Sequence, residues 1–151
     1  MVSETKAKFQ YSFPLRAEGV FCDLSPETLE SLAAIKQTKR FRKHSRLFTA
    51  GDMPCCIYRL VSGRARLFIK DASNNKRVIR FIAQDEIFGL TEAIANIPYE
   101  TNAETVTACL CECFGREDFI RFLHDEPQIC FRLVKLLGSN LQRAVNSYFL
   151  Q

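Results

Sequence analysis

Hydrophobic and polar positions change their period twice along the chain. In "DLSPETLESLAAI" the apolar residues recur at helical spacing, and Ser25 and Pro26 supply a candidate N-cap and first helical residue. Short runs of alternating apolar and polar residues follow from Lys36 to Gly115, and the helical period then returns. The pattern predicts an α+β fold: an antiparallel β-roll (a jelly-roll-like double-stranded barrel) with an N-terminal helix and a long C-terminal dimerisation helix.

The strand runs differ in how they end. "RFRKHSRLFTAGD" predicts one strand that ends at the Gly51–Asp52 turn, and "IYRLVSGRARLFI" predicts two strands joined by a tight turn at Ser62–Gly63. After the polar hairpin loop "KDASNNK", "RVIRFIAQDEIFGL" predicts a strand pair around Gln84–Asp85, and "AETVTACLCECFG" alternates again. Residues 88–105, "FGLTEAIANIPYETNAET", are interpreted as a pocket-forming insert. They include no lysine, arginine or histidine.

Two helices are predicted beyond the strands. "REDFIRFLHDEP" is a short helix stopped by Pro127, and a long helix follows it. One apolar stripe of the long helix alternates spacings of four and three residues, as in a seam between two helices. This predicted dimer seam consists of Cys130, Val134, Leu137, Leu141, Ala144 and Tyr148. A second stripe, predicted to pack on the roll, consists of Ile129, Leu133, Leu136 and Asn140. The alternative is a core helix covered entirely by its own domain.

Composition limits the class of protein. The chain has 151 residues, of which 47% are hydrophobic and 25% are charged, enough for one globular core. The net charge of +4 is too small to indicate a nucleic-acid surface by itself. There is no apolar run of about 18 residues and no secretory signal in "MVSETKAKFQYSF", so we expect no membrane association and a cytoplasmic location. The predicted units are an N-terminal segment at 1–21, the roll with flanking short helices at 22–125, and the long helix at 126–151.

Several motifs together resemble a known family. In "LFTAGDMPCCIYRLVSGRARLFI" a Gly–Asp turn and a Ser–Gly turn bracket a strand that carries Tyr58, and "DEIFGL" follows as a glycine-containing segment. Over residues 22–151 the chain resembles the N-terminal cyclic-nucleotide-binding-type sensor domain of Crp/Fnr transcription regulators. The resemblance implies a homodimer joined along the long helix, a ligand pocket in the roll, and contacts with DNA and RNA polymerase through the full-length protein. We expect the sensor half of a longer protein, with a natural stand-alone domain as the alternative.

The insert departs from the cyclic-nucleotide pattern that this resemblance implies. Leu90 stands where the family has a ribose-binding carboxylate, and Thr101–Asn102–Ala103 stand at the phosphate-binding arginine and its neighbours. Ala144 and Val145 replace the hydroxyls that reach the purine. A buried phosphate without a cation is costly, so we expect an unknown effector other than cAMP, or a pocket filled by its own side chains. The pocket candidates are Phe88, Gly89, Leu90, Thr91, Glu92, Tyr99, Thr101, Asn102 and Ala103.

Cysteines and histidines are the remaining candidates for chemistry. Cys22 is the single cysteine before the strand region, which does not support the four-cysteine iron–sulfur site of the Fnr branch. Cys55 and Cys56 are adjacent and are predicted to point to opposite sides of a strand. The alternating cysteines 109, 111 and 113 share a face, as small buried hydrophobes or, alternatively, as a soft-metal or thiol-sensing patch. Neither histidine has the spacing of a metal ligand or a triad member. We therefore expect no catalytic residues, no metal site and no evident cofactor.

A basic run lies at the start of the strand region. Its members are Lys36, Lys39, Arg40, Arg42, Lys43 and Arg46. The favoured interpretation is a charged strand edge that resists aggregation, and the alternative is a contact with RNA polymerase or DNA. The rival functions are an enzyme, which no constellation of reactive residues supports, a ligand-free interaction module of the same fold, and a thiol- or metal-responsive sensor.

Overall fold

The computed structural model describes residues 14–149, with side chains up to residue 147. The strands are β1 (Leu15–Arg16), β2 (Lys36–Phe41), β3 (Arg46–Phe48), β4 (Cys56–Ser62), β5 (Ala65–Lys70), β6 (Lys76–Ile82), β7 (Glu86–Phe88), β8 (Asn102–Thr105) and β9 (Cys109–Gly115). The helices are α1 (Pro26–Ile35), α2 (Leu90–Ala95), α3 (Arg116–Asp125) and α4 (Pro127–Phe149), and a 3₁₀ turn spans Ala17–Gly19. The predicted order of helix, strands, short helix and long helix is confirmed.

The predicted cap of the first helix is confirmed. The Ser25 side chain accepts a hydrogen bond from the Thr28 backbone N–H at 3.2 Å, which satisfies one of the free amides of the first turn. Pro26 is the first helical residue, where its missing N–H costs nothing. The Thr28 hydroxyl also donates to Glu126 Oε1 at 3.0 Å, and this bond joins α1 to the start of α4.

Nine strands form two antiparallel sheets within the described residues. The first sheet has the order β1-β7-β4-β9-β2, and the second has the order β3-β8-β5-β6. Consecutive strands therefore alternate between sheets in several places, as they do in a β-roll. The loop "KDASNNK" closes the β5–β6 hairpin as predicted, because the Asp71 carboxylate accepts from the Ser73 and Asn75 backbone amides at 2.9 Å each.

Gly63 turns the chain from the first sheet into the second. Its φ is +96°, and a Cβ at this position would lie 2.4 Å from the Ala108 carbonyl oxygen and 2.7 Å from Cys109 Sγ. Only glycine fits such a corner. The predicted strands on either side of Ser62–Gly63 are confirmed, but they belong to different sheets and do not pair with each other.

The single strand predicted for "RFRKHSRLFTAGD" is wrong. β2 ends at Phe41, and β3 begins at Arg46 in the other sheet. His44 has a φ of +61°, and the Thr105 side chain holds the bend by donating to the Arg42 carbonyl and accepting from the Ser45 N–H. "AETVTACLCECFG" is likewise divided between β8 and β9, and the predicted insert, residues 88–105, includes the whole of β8. Alternation continues from β8 into β9 and hides that corner, whereas the bend before β3 lies within the polar run 42–46, which was interpreted as part of one charged strand.

Two apolar cores lie on opposite faces of the first sheet. One is between this sheet and the helices and includes Ile57, Phe119, Ile129 and Leu133. The other lies between the two sheets and includes Leu60, together with the strand cysteines 109, 111 and 113. All three of these cysteines are buried, so their predicted shared face and packing position are confirmed.

Candidate ligand pocket and dimerisation helix

Aromatic rings fill much of the space between the two sheets. Phe48 stacks on Tyr99 with ring centroids 3.9 Å apart, and Tyr58 stacks on Phe88 at 5.3 Å. The Tyr58 hydroxyl donates to the Leu47 carbonyl at 3.2 Å. Burial, the largest cause, raises the pKa of Tyr58 and of Tyr99, so both phenols stay protonated. The rings of Phe88 and Tyr99, both pocket candidates, are thus packed against other aromatic rings of the roll.

Gly89 starts the helix of the insert. Its φ is +73°, and an added Cβ would touch the Phe48 and Tyr58 rings at 3.6 Å. Helix α2 places Leu90 in the core against the helices, not in the roll interior, while Thr91 is exposed. Glu92 is buried. The first turn of α2 therefore points its pocket candidates in different directions.

The return segment of the insert is held by its own domain. Thr101, Asn102 and Ala103 are all buried. The Asn102 side chain accepts from the Ala50 N–H at 2.9 Å and from Arg46 Nη1 at 3.2 Å, and it donates to the Phe68 carbonyl at 3.3 Å. Both the oxygen and the nitrogen of the Asn102 amide are hydrogen-bonded, so this side chain links β8 to β3, to the residues just after β3, and to β5.

An open cavity of about 810 Å³ lies at this end of the second sheet. Its wall includes Tyr99 and Asn102 among the pocket candidates, together with Arg46, Lys70 and Glu100. The other candidates do not line it. The structure therefore divides the nine predicted residues among this cavity, the roll interior, the helix-side core and the surface.

An ion pair inside the roll was missed by the sequence analysis. Arg80 of β6 binds Glu86 of β7 through two parallel bonds, Nη1 to Oε1 at 2.8 Å and Nη2 to Oε2 at 2.5 Å. Glu86 is 1% exposed, and it also accepts from the Ala83 N–H at 2.9 Å. Arg80 pairs with Leu67 across the β5–β6 ladder, on the inward side. The insert has no cation, but a neighbouring strand supplies one, and a carboxylate already holds it.

The two sides of helix α4 differ sharply in burial. Ile129 and Leu133 are each 2% exposed, and Leu136 packs against the same core, as predicted for the second stripe. Within the predicted seam, Val134 and Leu141 are 59% and 57% exposed. The remaining seam positions are placed differently: Cys130 and Leu137 pack partly against the domain's own core, Ala144 is buried, and the side chain of Tyr148 lies outside the described residues.

The first half of the basic run, Lys36, Lys39 and Arg40, lies on the edge strand β2 of the first sheet, whereas Arg42 and Lys43 lie in the bend that follows and Arg46 begins β3 of the second sheet. β2 pairs with β9 on one side and is the last strand of its sheet. Lys36 pairs with Glu112 at 3.0 Å, and Arg46 lies with its guanidinium carbon 5.0 Å from the centre of the Phe68 ring. A charged edge strand resists further strand pairing, which supports the structural interpretation of the run.

The prediction for Cys55 and Cys56 is wrong. Cys55 precedes β4 and is exposed, Cys56 is half-buried, and their Sγ atoms are 3.8 Å apart. Because Cys55 is outside the pleated strand, the alternation of side chains does not apply to it. No group of three or more potential metal ligands is found in the part of the chain that the structure describes. Among the helices of residues 14–149, none has the length and apolar character needed to cross a membrane.

Comparison with known proteins now identifies the family. The model of the cyclic nucleotide-binding domain matches residues 38–126, and the chain belongs to that family. Its homologues and structural neighbours are Crp/Fnr-family transcription regulators, as the motifs suggested. The cyclic AMP receptor protein of Thermus thermophilus is 22% identical over 130 residues, which cover 86% of this chain and 60% of that protein.

Solved structures show the same fold. The catabolite activator protein of Thermus thermophilus matches with a TM-score of 0.76 at 23% identity, over 87% of this chain and 62% of that one. The sensor domain of the transcriptional regulator DNR from Pseudomonas aeruginosa matches with a TM-score of 0.73 at 20% identity, over 87% of this chain and 88% of that one. The predicted β-roll with its C-terminal helix is confirmed.

Proposed function

We propose that this chain is the sensor and dimerisation part of a Crp/Fnr-type transcription regulator. Family membership supports the sensor fold, and the exposed apolar side of α4 carries the proposal of a dimer. The full-length protein would act in the cytoplasm, where it would contact DNA and RNA polymerase. The homologues named above are regulators and not enzymes, which agrees with a non-catalytic role.

The proposed interface is an exposed stripe formed by Phe131, Val134, Gly138 and Leu141. These residues follow one another at spacings of three, four and three, and the three side chains are 57–64% exposed. At Gly138 an added Cβ would meet nothing within 4 Å, so the backbone of a second helix has room to approach. The stripe keeps Val134 and Leu141 of the predicted seam.

A second copy of this chain is the proposed occupant of the exposed stripe. In a two-fold pair of helices the same residues of both copies face each other, and each covers the other's apolar side chains. Cys130 and Leu137 already pack against their own core, so the seam is rotated away from them toward Phe131 and Gly138. Three large side chains exposed on one face of one helix otherwise remain in water at a cost.

Helix α4 is also attached to the rest of the domain. Arg132 Nη1 donates to the Val20 carbonyl at 3.1 Å and to the Cys22 carbonyl at 2.5 Å. Ile129 and Leu133 lie in the core that α1, α3 and the first sheet share. In the proposed mechanism, a change in the roll shifts this layer, and the two α4 helices move about their interface. DNA-binding parts beyond the helix would then be repositioned.

The effector is proposed to be something other than a cyclic nucleotide. Leu90 has no acceptor for a ribose hydroxyl and lies in the helix-side core. The guanidinium of Arg80 is held by Glu86, so a phosphate would have to displace a buried carboxylate. The stacked rings of Phe48 and Tyr99 occupy further space. The same filled interior favours one second candidate, a ligand-free interaction module with this fold.

Sedimentation of matched variants tests the dimer. We expect a wild-type dimer at micromolar concentration and a monomer for Leu141→Glu, because two charges forced into one apolar seam cost several kcal/mol. Leu29→Glu is the control, since Leu29 is 52% exposed but lies on α1. It should remain dimeric. If Leu141→Glu sediments as the wild type does, the subunits meet elsewhere.

A separate experiment distinguishes sensor from module. The purified dimer is mixed with a metabolite extract and analysed by native mass spectrometry. A small molecule retained at one copy per chain supports the sensor function. A dimer that retains nothing across extracts from several growth conditions supports the ligand-free module.

A further inference from the structure

Two adjacent cysteines lie side by side where strand β4 begins, at the margin of the core between the two sheets, against which Cys56 packs in part. Cys55 is exposed, Cys56 is half-buried, and their Sγ atoms are 3.8 Å apart. Two thiolates bound to one tetrahedral ion by bonds of about 2.3 Å lie about 3.8 Å apart. The sulfur atoms therefore already have the separation that a shared ion requires.

We propose that Cys55 and Cys56 form a two-thiol binding site for a soft, thiophilic metal or metalloid species. Exposure of Cys55 provides access from solvent. Residues 14–149 contain no cluster of three or more metal-ligating side chains, so the pair has to satisfy its ligand with two sulfurs. A structural zinc site takes four protein ligands, whereas thiolates select soft species. A trivalent organoarsenical fits this description, since it forms two bonds to sulfur.

A disulfide between the same two residues is less favourable. Adjacent Cα atoms are about 3.8 Å apart, whereas disulfide-bonded residues usually have Cα atoms at least about 4.4 Å apart. Closing the bond would also bring the sulfurs from 3.8 Å to about 2.05 Å. Bridging by an ion avoids both distortions.

The thiol pair is connected to the insert by hydrogen bonds to the carbonyl groups of the two cysteines. The Cys56 carbonyl accepts from the Tyr99 hydroxyl at 3.3 Å, and the Cys55 carbonyl accepts from the Arg116 N–H at 2.9 Å. Arg116 Nε in turn donates to the Ala93 carbonyl of α2 at 2.6 Å. A species that reorients the two thiols therefore acts on a segment that is joined to the insert directly at Tyr99 and, through Arg116, at Ala93.

Phenylarsine oxide is the probe for this site. In the reaction each thiol gives up its proton, two sulfur–arsenic bonds form, the arsenic–oxygen bond breaks, and the oxygen leaves as water while arsenic stays trivalent. Burial, and after it the neighbouring Cys55, raises the pKa of Cys56, so the rate should increase from pH 7 to pH 9 as more thiolate forms.

The experiment counts adducts on the intact, folded chain by mass spectrometry in excess monothiol, which removes arsenic bound to one sulfur. We expect one adduct per chain that is reversed by a small dithiol. Cys55→Ser and Cys56→Ser should each weaken binding by roughly a hundredfold or more, because the second bond is intramolecular. Cys22→Ser, which removes another exposed cysteine, should leave it unchanged.

Two results would overturn the proposal. One is the absence of any adduct that survives the monothiol. The other is an adduct that persists in both Cys55→Ser and Cys56→Ser, which would place the arsenic on other thiols. Cys55→Ser changes an exposed side chain ahead of the strand, and its thermal unfolding midpoint serves as the check on folding. The readout is binding, so it does not depend on the proposed regulatory function.

Discussion

The inside of the roll and the exposed stripe of α4 are both apolar, but they are in opposite states. Leu60, between the sheets, is fully buried, and the rings around it stack on one another. The buried side chain of Glu86 makes two bonds to Arg80. On α4, Leu141 is 57% exposed to solvent. One region has satisfied its side chains internally, and the other has not.

The difference indicates which of the two regions can gain free energy by binding a partner. A pocket that already contains stacked rings and a closed ion pair offers little free energy to a ligand, because the ligand would have to break these existing interactions before making its own. An exposed stripe has few contacts to break when it is covered, and it gains the transfer of apolar area from water, which offsets the entropy lost on association. We infer that the affinity of this domain is directed to another helix rather than to a nucleotide.

The largest expected difference between the two regions is in stability. Leu60→Ala should lower the free energy of unfolding by about 2–5 kcal/mol, because it leaves a cavity between the sheets. Leu141→Ala should change the stability of the monomer by no more than about 0.5 kcal/mol. Urea denaturation at a concentration low enough to give monomer measures both values. Equal losses for the two variants would contradict the comparison.

The ion pair provides a second, smaller effect. Glu86→Gln removes the buried carboxylate that makes two bonds to Arg80, and we expect a loss of about 3 kcal/mol in unfolding free energy. Asp118→Asn is the matched control, because it breaks the exposed Asp118–Arg121 pair, and it should cost less than about 1 kcal/mol. A loss at Glu86 as small as the control's would mean that solvent reaches the pair freely.

Thiol reactivity gives the finest comparison of inside with outside. Burial raises the pKa of Cys111 to about 12 and that of Cys113 to about 11, so neither forms much thiolate near neutral pH. Alkylation followed by mass spectrometry should label the exposed Cys22 and Cys55 first and the strand cysteines after unfolding. Labelling of Cys111 within minutes in the native protein would show that the roll opens.

Local signals in the sequence were sufficient for much of the fold. The cap at Ser25, the hairpin loop after β5 and the domain-facing stripe of α4 depend on neighbouring residues, and local patterns reveal them. The assignment of strands to sheets was not accessible in this way. At Gly63 and at Thr105 the chain turns a corner while the alternation continues, and the direction of the turn is set by contacts with distant residues.

The candidate site was less predictable than the fold. Arg80 lies outside the insert, and its pairing with Glu86 depends on a strand crossing between sheets. The one available signal was the position of Arg80, which the alternation of side chains places on the inward face of a largely apolar strand. The proposed shift of the dimer interface toward Phe131 and Gly138 depends on which side of α4 the core covers, and a repeat of four and three residues leaves that choice open. Cys55 was misplaced because strand boundaries are uncertain by a residue or more.

Calorimetric titration with cAMP and cGMP tests the account most directly, because it asks whether the roll interior is available to the ligand for which the family is named. Loss of the charge-assisted phosphate contact in a buried site costs roughly 2–5 kcal/mol. We therefore predict no heat of binding at micromolar nucleotide and a dissociation constant no better than millimolar for either compound. A micromolar dissociation constant, with one nucleotide per chain, would contradict the closed interior and the role assigned to the Arg80–Glu86 pair.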